Sequence, residues 1–303
     1  MDAQIGNPMK GIALVLLAVM FFALGDVVTK HLTMLYAVPL VMALRYLVNL
    51  TLLVIALAPR HGWGLLRTQR TGLVIARALC LAAGSLTGGL SLRYMPVAET
   101  IAIFYLAPFI VMLLAVKFLG EKVTLAGWIG ALVAFAGVVL IVRPGGGLNP
   151  LGVTFALVNA VFAAFYHLLS RVLARTETTA ALQIYTAGIG LMVFAVLVLI
   201  GGTGPMPGSN DLWLTLALGG LATLGHFLLT ASYREAPASL LAPVNYMHLV
   251  WAGILGWLVF RHVTDGLSLL GMVMVAGAGV AVALRAHVSR RAANRLLPQP
   301  EPH

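Results

Sequence analysis

The chain has 303 residues, 61% of them apolar and only 9% charged, against roughly 45–50% and about 25% in soluble domains. A soluble fold of this length cannot hide so much apolar surface behind so few charges, so most of its exterior must face lipid. The formal charge of +10 does not point to nucleic acid, because the bases form no patch and sit in short gaps between apolar runs.

Taken along the chain, ten runs approach the length a helix needs to cross hydrocarbon, roughly 20 residues. They are 11–32, 36–57, 72–92, 97–119 and 124–142, then 150–173, 180–200, 212–233, 239–260 and 266–286. The first could pass for a cleaved leader. However, it ends in Asp26 and Lys30 rather than a small-residue cleavage site, and it has a counterpart in the second half. Pro59, Pro96, Pro237, the glycines at 145–147 and the Gly/Pro-rich stretch 201–209 punctuate the runs. The lone cysteine, Cys80, lies inside an apolar run, where it suggests neither an internal disulfide nor a metal site, and no cofactor is expected.

Shifted by 141 positions, the sequence matches itself weakly but without gaps. Gly11 meets Gly152, Phe21 meets Phe162 and Lys30 meets Arg171. Further on, Gly84 meets Gly225, Arg93 meets Arg234, Pro96 meets Pro237, Tyr105 meets Tyr246 and Gly130 meets Gly271. Each unit has five spans, an odd number, so the second enters the membrane from the opposite side. The expected fold is an all-α integral membrane protein, ten transmembrane helices in two inverted five-helix repeats. The units run over 1–145 and 146–287, with a basic, then Pro-rich tail, 288–303, expected to be disordered. Thirteen Lys and Arg fall at one set of span ends, against four (Lys30, Arg93, Arg143 and Arg261) at the other. That bias predicts both termini in the cytoplasm of a bacterial-type inner membrane.

Polar side chains at membrane depth are costly unless they face a cavity or a partner. Counted at ~1.5 Å per residue, Arg45, Tyr105, Asn159, Asn245, Tyr246 and His248 come closest to the middle. Ser85, Asp26 and Glu99 lie to the outer side, and His226 and His167 to the inner. Tyr105, Asn245, Tyr246, His248, Asn159, Ser85 and His226 are the substrate-binding candidates. Asp26, His167, Glu99 and Arg45 are candidates for coupling or gating, with a proton as the candidate ion. On one unbroken helix Tyr246 and His248 stand about 160° apart with Asn245 between them, which favours Asn245 as the inward residue. Asp26 is expected to pair with Lys30 at i,i+4. Arg45 cannot shed its charge and needs a carboxylate or carbonyl, from the protein or a substrate. Arg77 is expected to snorkel to the cytoplasmic surface. Nucleotide-binding loops and the short hydrolase, zinc-protease and redox motifs are absent, so no enzyme activity is expected.

Several stretches carry a resemblance. Arg93-Tyr94-Met95-Pro96-Val97-Ala98, Tyr105-Leu106-Ala107-Pro108 and Phe118-Leu119-Gly120-Glu121 close the first half. Pro237-Ala238-Ser239-Leu240-Leu241-Ala242-Pro243 and Trp257-Leu258-Val259-Phe260 close the second. Over 10–287 the chain resembles the ten-helix EamA type of the drug/metabolite transporter (DMT) superfamily. It departs from that pattern where Arg261-His262 replaces a second Gly-Glu, and in the Phe21–Asp26 stretch. The resemblance implies a secondary carrier of a small molecule, with a central cavity lined by the first, third, fourth, sixth, eighth and ninth helices. Exporters of amino acids, aromatic ones included, are the nearest likeness. Uptake of a vitamin or nucleoside-like metabolite, multidrug export, a channel and a membrane enzyme are the rival readings. A monomer in the bilayer is expected.

Overall fold

The computed structural model describes residues 7–120, 123–143, 146–202, 204–236 and 238–295. The repeat boundary at 145, Glu121, Pro237 and residues 296–303 fall outside that range. The first unit comprises α1 (Pro8–Leu35), α2 (Val38–His61), α3 (Thr71–Tyr94), α4 (Val97–Phe104), α5 (Ala107–Leu119) and α6 (Leu125–Val142). The second comprises α7 (Pro150–Leu173), α8 (Thr179–Gly201), α9 (Ser209–Glu235), α10 (Ala238–Asn245), α11 (Met247–Phe260) and α12 (Gly266–Arg295). Ten segments of the described residues are long and apolar enough to cross a membrane, with α4–α5 and α10–α11 each acting as one span. Leu132, Leu199, Phe227 and Val273 stand exposed, as a lipid solvent requires.

Local chemistry sets the helix ends. Asn7-Pro8 and Asn149-Pro150 open the first helix of each unit. The asparagine side chain accepts the first free N–H groups, and proline takes a position whose missing N–H costs nothing. At the far end of the fourth span Gly120 closes α5 at φ 64°, and its repeat equivalent Arg261 closes α11 at φ 55°. Arg261 is the only non-glycine at positive φ among the described residues.

Packing repeats with the sequence. α1 lies along α9, and α3, the equivalent of α9, lies along α7, the equivalent of α1. A side chain on Gly11 would strike Ala236, and one on Gly152 would strike Met95, positions again 141 apart. α2 pairs with its own equivalent α8, and α6 with α12. In the α6–α12 contact a Cβ on Gly137 would come within 2.6 Å of the Gly271 carbonyl oxygen, and one on Gly271 would strike the Gly137 carbonyl. Only glycine at both places lets the two backbones touch, the usual basis of tight helix packing in lipid. At the C-terminus α12 runs on to Arg295, beyond the predicted start of the disordered tail. The segment up to Arg295 is rich in Ala and Arg, both good helix formers, and contains no proline.

Candidate functional site: a cavity between the repeats

Between the two units lies a cavity of about 330 Å³, within the size range of small-molecule sites. Asp26, Arg45, Ser85, Tyr105, Asn159, His167 and His248 all line it. Pockets of about 230 Å³ and about 80 Å³ adjoin it, and both include Arg45 and His226. The smaller has polar walls that sequence reasoning missed: Asn49, Tyr166, Gln183 and Thr186. Their only sequence signal was a polar side chain within a span.

Two broken helices shape the wall. α4 ends and α5 begins around Tyr105, and α10 gives way to α11 at Tyr246, the repeat equivalent. Pro108 and Pro243 each remove a helical donor near these breaks. The chain bridges the gaps with shorter bonds, Leu106 N–H to the Ile103 carbonyl and Tyr246 N–H to the Pro243 carbonyl. The two tyrosine rings meet at 4.7 Å between centroids. The Tyr105 hydroxyl donates to the Asn245 carbonyl at 2.6 Å, tying one break to the other. Discontinuous helices at a repeat interface are the usual sites of solute binding in inverted-repeat carriers.

The break corrects one expectation. The Asn245 carbonyl accepts from the Tyr105 hydroxyl, but Asn245 is not among the residues lining the cavity, whereas His248 is. The angular spacing holds only along one continuous helix, and the interruption at Tyr246 resets the phase. Tyr246 packs at a tilt against Tyr105, outside the main cavity wall, and lies so close over Gly279 that no Cβ fits there.

Charges are arranged asymmetrically. His248 Nε2 lies 2.8 Å from Asp26 Oδ2, a pair that joins the two units across the cavity. The predicted Asp26–Lys30 pair does not form. Lys30 Nζ instead donates to the carbonyls of Leu92 (2.8 Å) and Met95 (2.7 Å) at the C-terminus of α3, where a cation is favoured. Asn159 Nδ2 donates to the Gly84 carbonyl at 2.6 Å, and Tyr46 and Ser85 share a 2.9 Å bond between hydroxyls. Arg45 has one polar contact among the described residues, Met42 Sδ at 3.9 Å.

Arg77 does not snorkel. It is buried, and it donates to the Ser170 hydroxyl (2.6 Å), the Leu182 carbonyl (3.2 Å), the Thr186 hydroxyl (2.7 Å) and the Tyr166 hydroxyl (2.8 Å). Its guanidinium also sits 4.4 Å from the Tyr166 ring centroid. Oxygens of α7 and α8 thus replace the water it would otherwise seek. Glu99 lies apart from the cavity. It is buried in the first turn of α4, with Oε1 2.9 Å from Nε2 of His262, the residue that replaces the second Gly-Glu acid.

Each end of the bundle carries a clasp between the units. At one end the Tyr36 hydroxyl donates to Asp211 Oδ2 at 2.6 Å, and His31 Nε2 lies 3.9 Å from the same carboxylate. The bond to Asp211 holds the Tyr36 proton more tightly than usual. At the other end Glu177 accepts from the backbone N–H groups of Gln69 (3.0 Å) and Arg70 (2.8 Å). Glu177 is the repeat equivalent of Tyr36, and Asp211 that of Arg70. The two clasps thus sit at equivalent positions on opposite ends, as an inverted repeat requires, although the carboxylate comes from the other partner position in each.

The model of the EamA-like transporter family matches residues 9–143 and again residues 150–284, and the chain belongs to that family. Among curated relatives it is 28% identical over 243 residues to a riboflavin transporter of Brucella anthropi, covering 78% of this chain and 84% of that protein. It is 27% identical over 234 residues to a pseudopaline exporter of Pseudomonas aeruginosa, with 77% and 81% covered. It is 26% identical over 276 residues to an S-adenosylmethionine uptake transporter of Rickettsia bellii, with 88% and 90% covered. A solved crystal structure superimposes with a TM-score of 0.64 over 93% of this chain and 97% of the other, at 21% identity, which shows a shared fold. The protein is thus a multi-pass membrane transporter of the DMT superfamily with ten spans, and amino-acid export is not what these relatives are named for.

Proposed function

We propose that the protein is a secondary carrier that moves a small organic metabolite across a bacterial inner membrane by alternating access, with both termini cytoplasmic. The cavity supports this reading most directly. It draws its walls from both units, and contacts at repeat-equivalent positions join the units at the two ends of the bundle. Release of the Tyr36–Asp211 clasp would admit solute from the outer side, and release of the Glu177 clasp would deliver it to the inner side. Exchanging the conformations of the two units converts one state into the other.

Tyr105, Ser85, Asn159, His226 and His248 are assigned to solute contact, and Asp26, Arg45 and His167 to charge balance around it. Export of an amino acid fits the paired tyrosines. The relatives named for riboflavin and S-adenosylmethionine uptake favour a second direction, inward movement of a larger metabolite through the same cavity. Counterflow in proteoliposomes tests the carrier class. Vesicles preloaded with unlabelled riboflavin, S-adenosylmethionine or L-phenylalanine should transiently accumulate the matching labelled solute. Leakage of all three without trans-acceleration would mark a channel and end the carrier reading.

A further inference from the structure

We infer that the transported solute is an aromatic carboxylate, held through its carboxylate by Arg45. This inference deepens the carrier reading and rests on it. Histidines aside, five acidic or basic side chains stand inside the bundle around or above the cavity, and four of them have close polar partners. Asp26 is engaged by His248, and Glu99 by His262. Arg77 spends its donors on four oxygens of α7 and α8, and Lys30 caps the carbonyls of α3. Arg45 is the exception. Arg45 borders all three adjoining pockets, and among the described residues the only hydrogen-bond acceptor for its guanidinium is a thioether sulfur at 3.9 Å, a weak one.

A guanidinium keeps its charge in proteins, and an uncompensated charge at membrane depth is costly. Its flat fork of donors matches a carboxylate in two parallel bonds. Part of the same cavity wall is aromatic, formed by Phe104 and Tyr105, and the Tyr105 ring meets that of Tyr246 at a tilt of 31°. Such a wall suits the face of a planar ring. A zwitterion would additionally set its ammonium group against Asp26, in exchange for the His248 contact.

Three ligands sharing one phenyl ring test the inference: phenylacetate (an anion), L-phenylalanine (a zwitterion) and phenethylamine (a cation). The full chain, purified in detergent, should be stabilised in a concentration-dependent way by phenylacetate and by L-phenylalanine but not by phenethylamine. Arg45→Gln should weaken carboxylate binding roughly 10–100-fold, the loss expected when charged hydrogen bonds are removed. Arg45→Lys should retain part of it, as a point charge without the fork. The ligand series on the unaltered protein decides the matter even if a variant fails to fold. Equal stabilisation by phenethylamine, no response to any of the three, or carboxylate binding unaffected in a folded Arg45→Gln protein would overturn the inference. Counterflow with the same ligands separates the two readings. Carboxylate binding without counterflow supports the anion site and sinks the carrier, whereas counterflow of phenethylamine alone does the reverse.

Discussion

The clasps make a directional prediction. Glu177→Ala removes the acceptor of the Gln69 and Arg70 N–H groups at the start of α3, an N-terminal cap in effect, and such losses cost about 1 kcal/mol. These bonds are solvent-exposed, so the lower half of the capping range applies. At 1.4 kcal/mol per tenfold, unlatching at that end should become about fivefold more populated. The native cysteine provides the assay. Cys80 is the only cysteine in the chain and lines the central cavity, so no other thiol has to be removed. In oriented proteoliposomes, a membrane-impermeant thiol reagent should label Cys80 about fivefold faster in Glu177→Ala, from the side bearing Lys10. Tyr36→Phe, which removes the hydroxyl bound to Asp211, should accelerate labelling from the opposite side only. Acceleration of both variants from the same side, or of neither, would show that the clasps do not gate the cavity.

Two stability predictions follow from backbone geometry. Gly271→Val should lower the melting temperature by an amount worth roughly 1–3 kcal/mol, because its Cβ meets the Gly137 carbonyl, which cannot swing aside. Gly253→Ala, with open space around it, should be neutral or stabilising, and equal losses in the two would count against the packing argument. Arg261→Gly should stabilise by about 1 kcal/mol, since glycine adopts the left-handed cap without strain. A lower melting temperature for this variant would show that the arginine side chain matters more than its backbone.

The sequence alone fixes the solvent, the number of spans and the duplication. These depend on composition and on a period far longer than any turn, and neither requires knowledge of what touches what. The matched Tyr105 and Tyr246 were visible as a pair for the same reason, as were Asp26, Arg45, Ser85, Asn159, His167 and His248 as polar groups too deep to face lipid. The pairing of those groups was decided in three dimensions. Asp26 takes His248 rather than Lys30, although Lys30 is a helical turn away, because the end of α3 presents bare carbonyls that hold the ammonium group more firmly. Asn245 gives way to His248 because the helix breaks at Tyr246, and a period counted across a break loses its phase. Arg77 stays inside because α7 and α8 together supply four oxygens that no single span reveals. A helix's own sequence specifies which of its faces is polar. Whether that polarity meets a partner, a cavity or water depends on the helices packed beside it, which the chain supplies from the far side of the repeat.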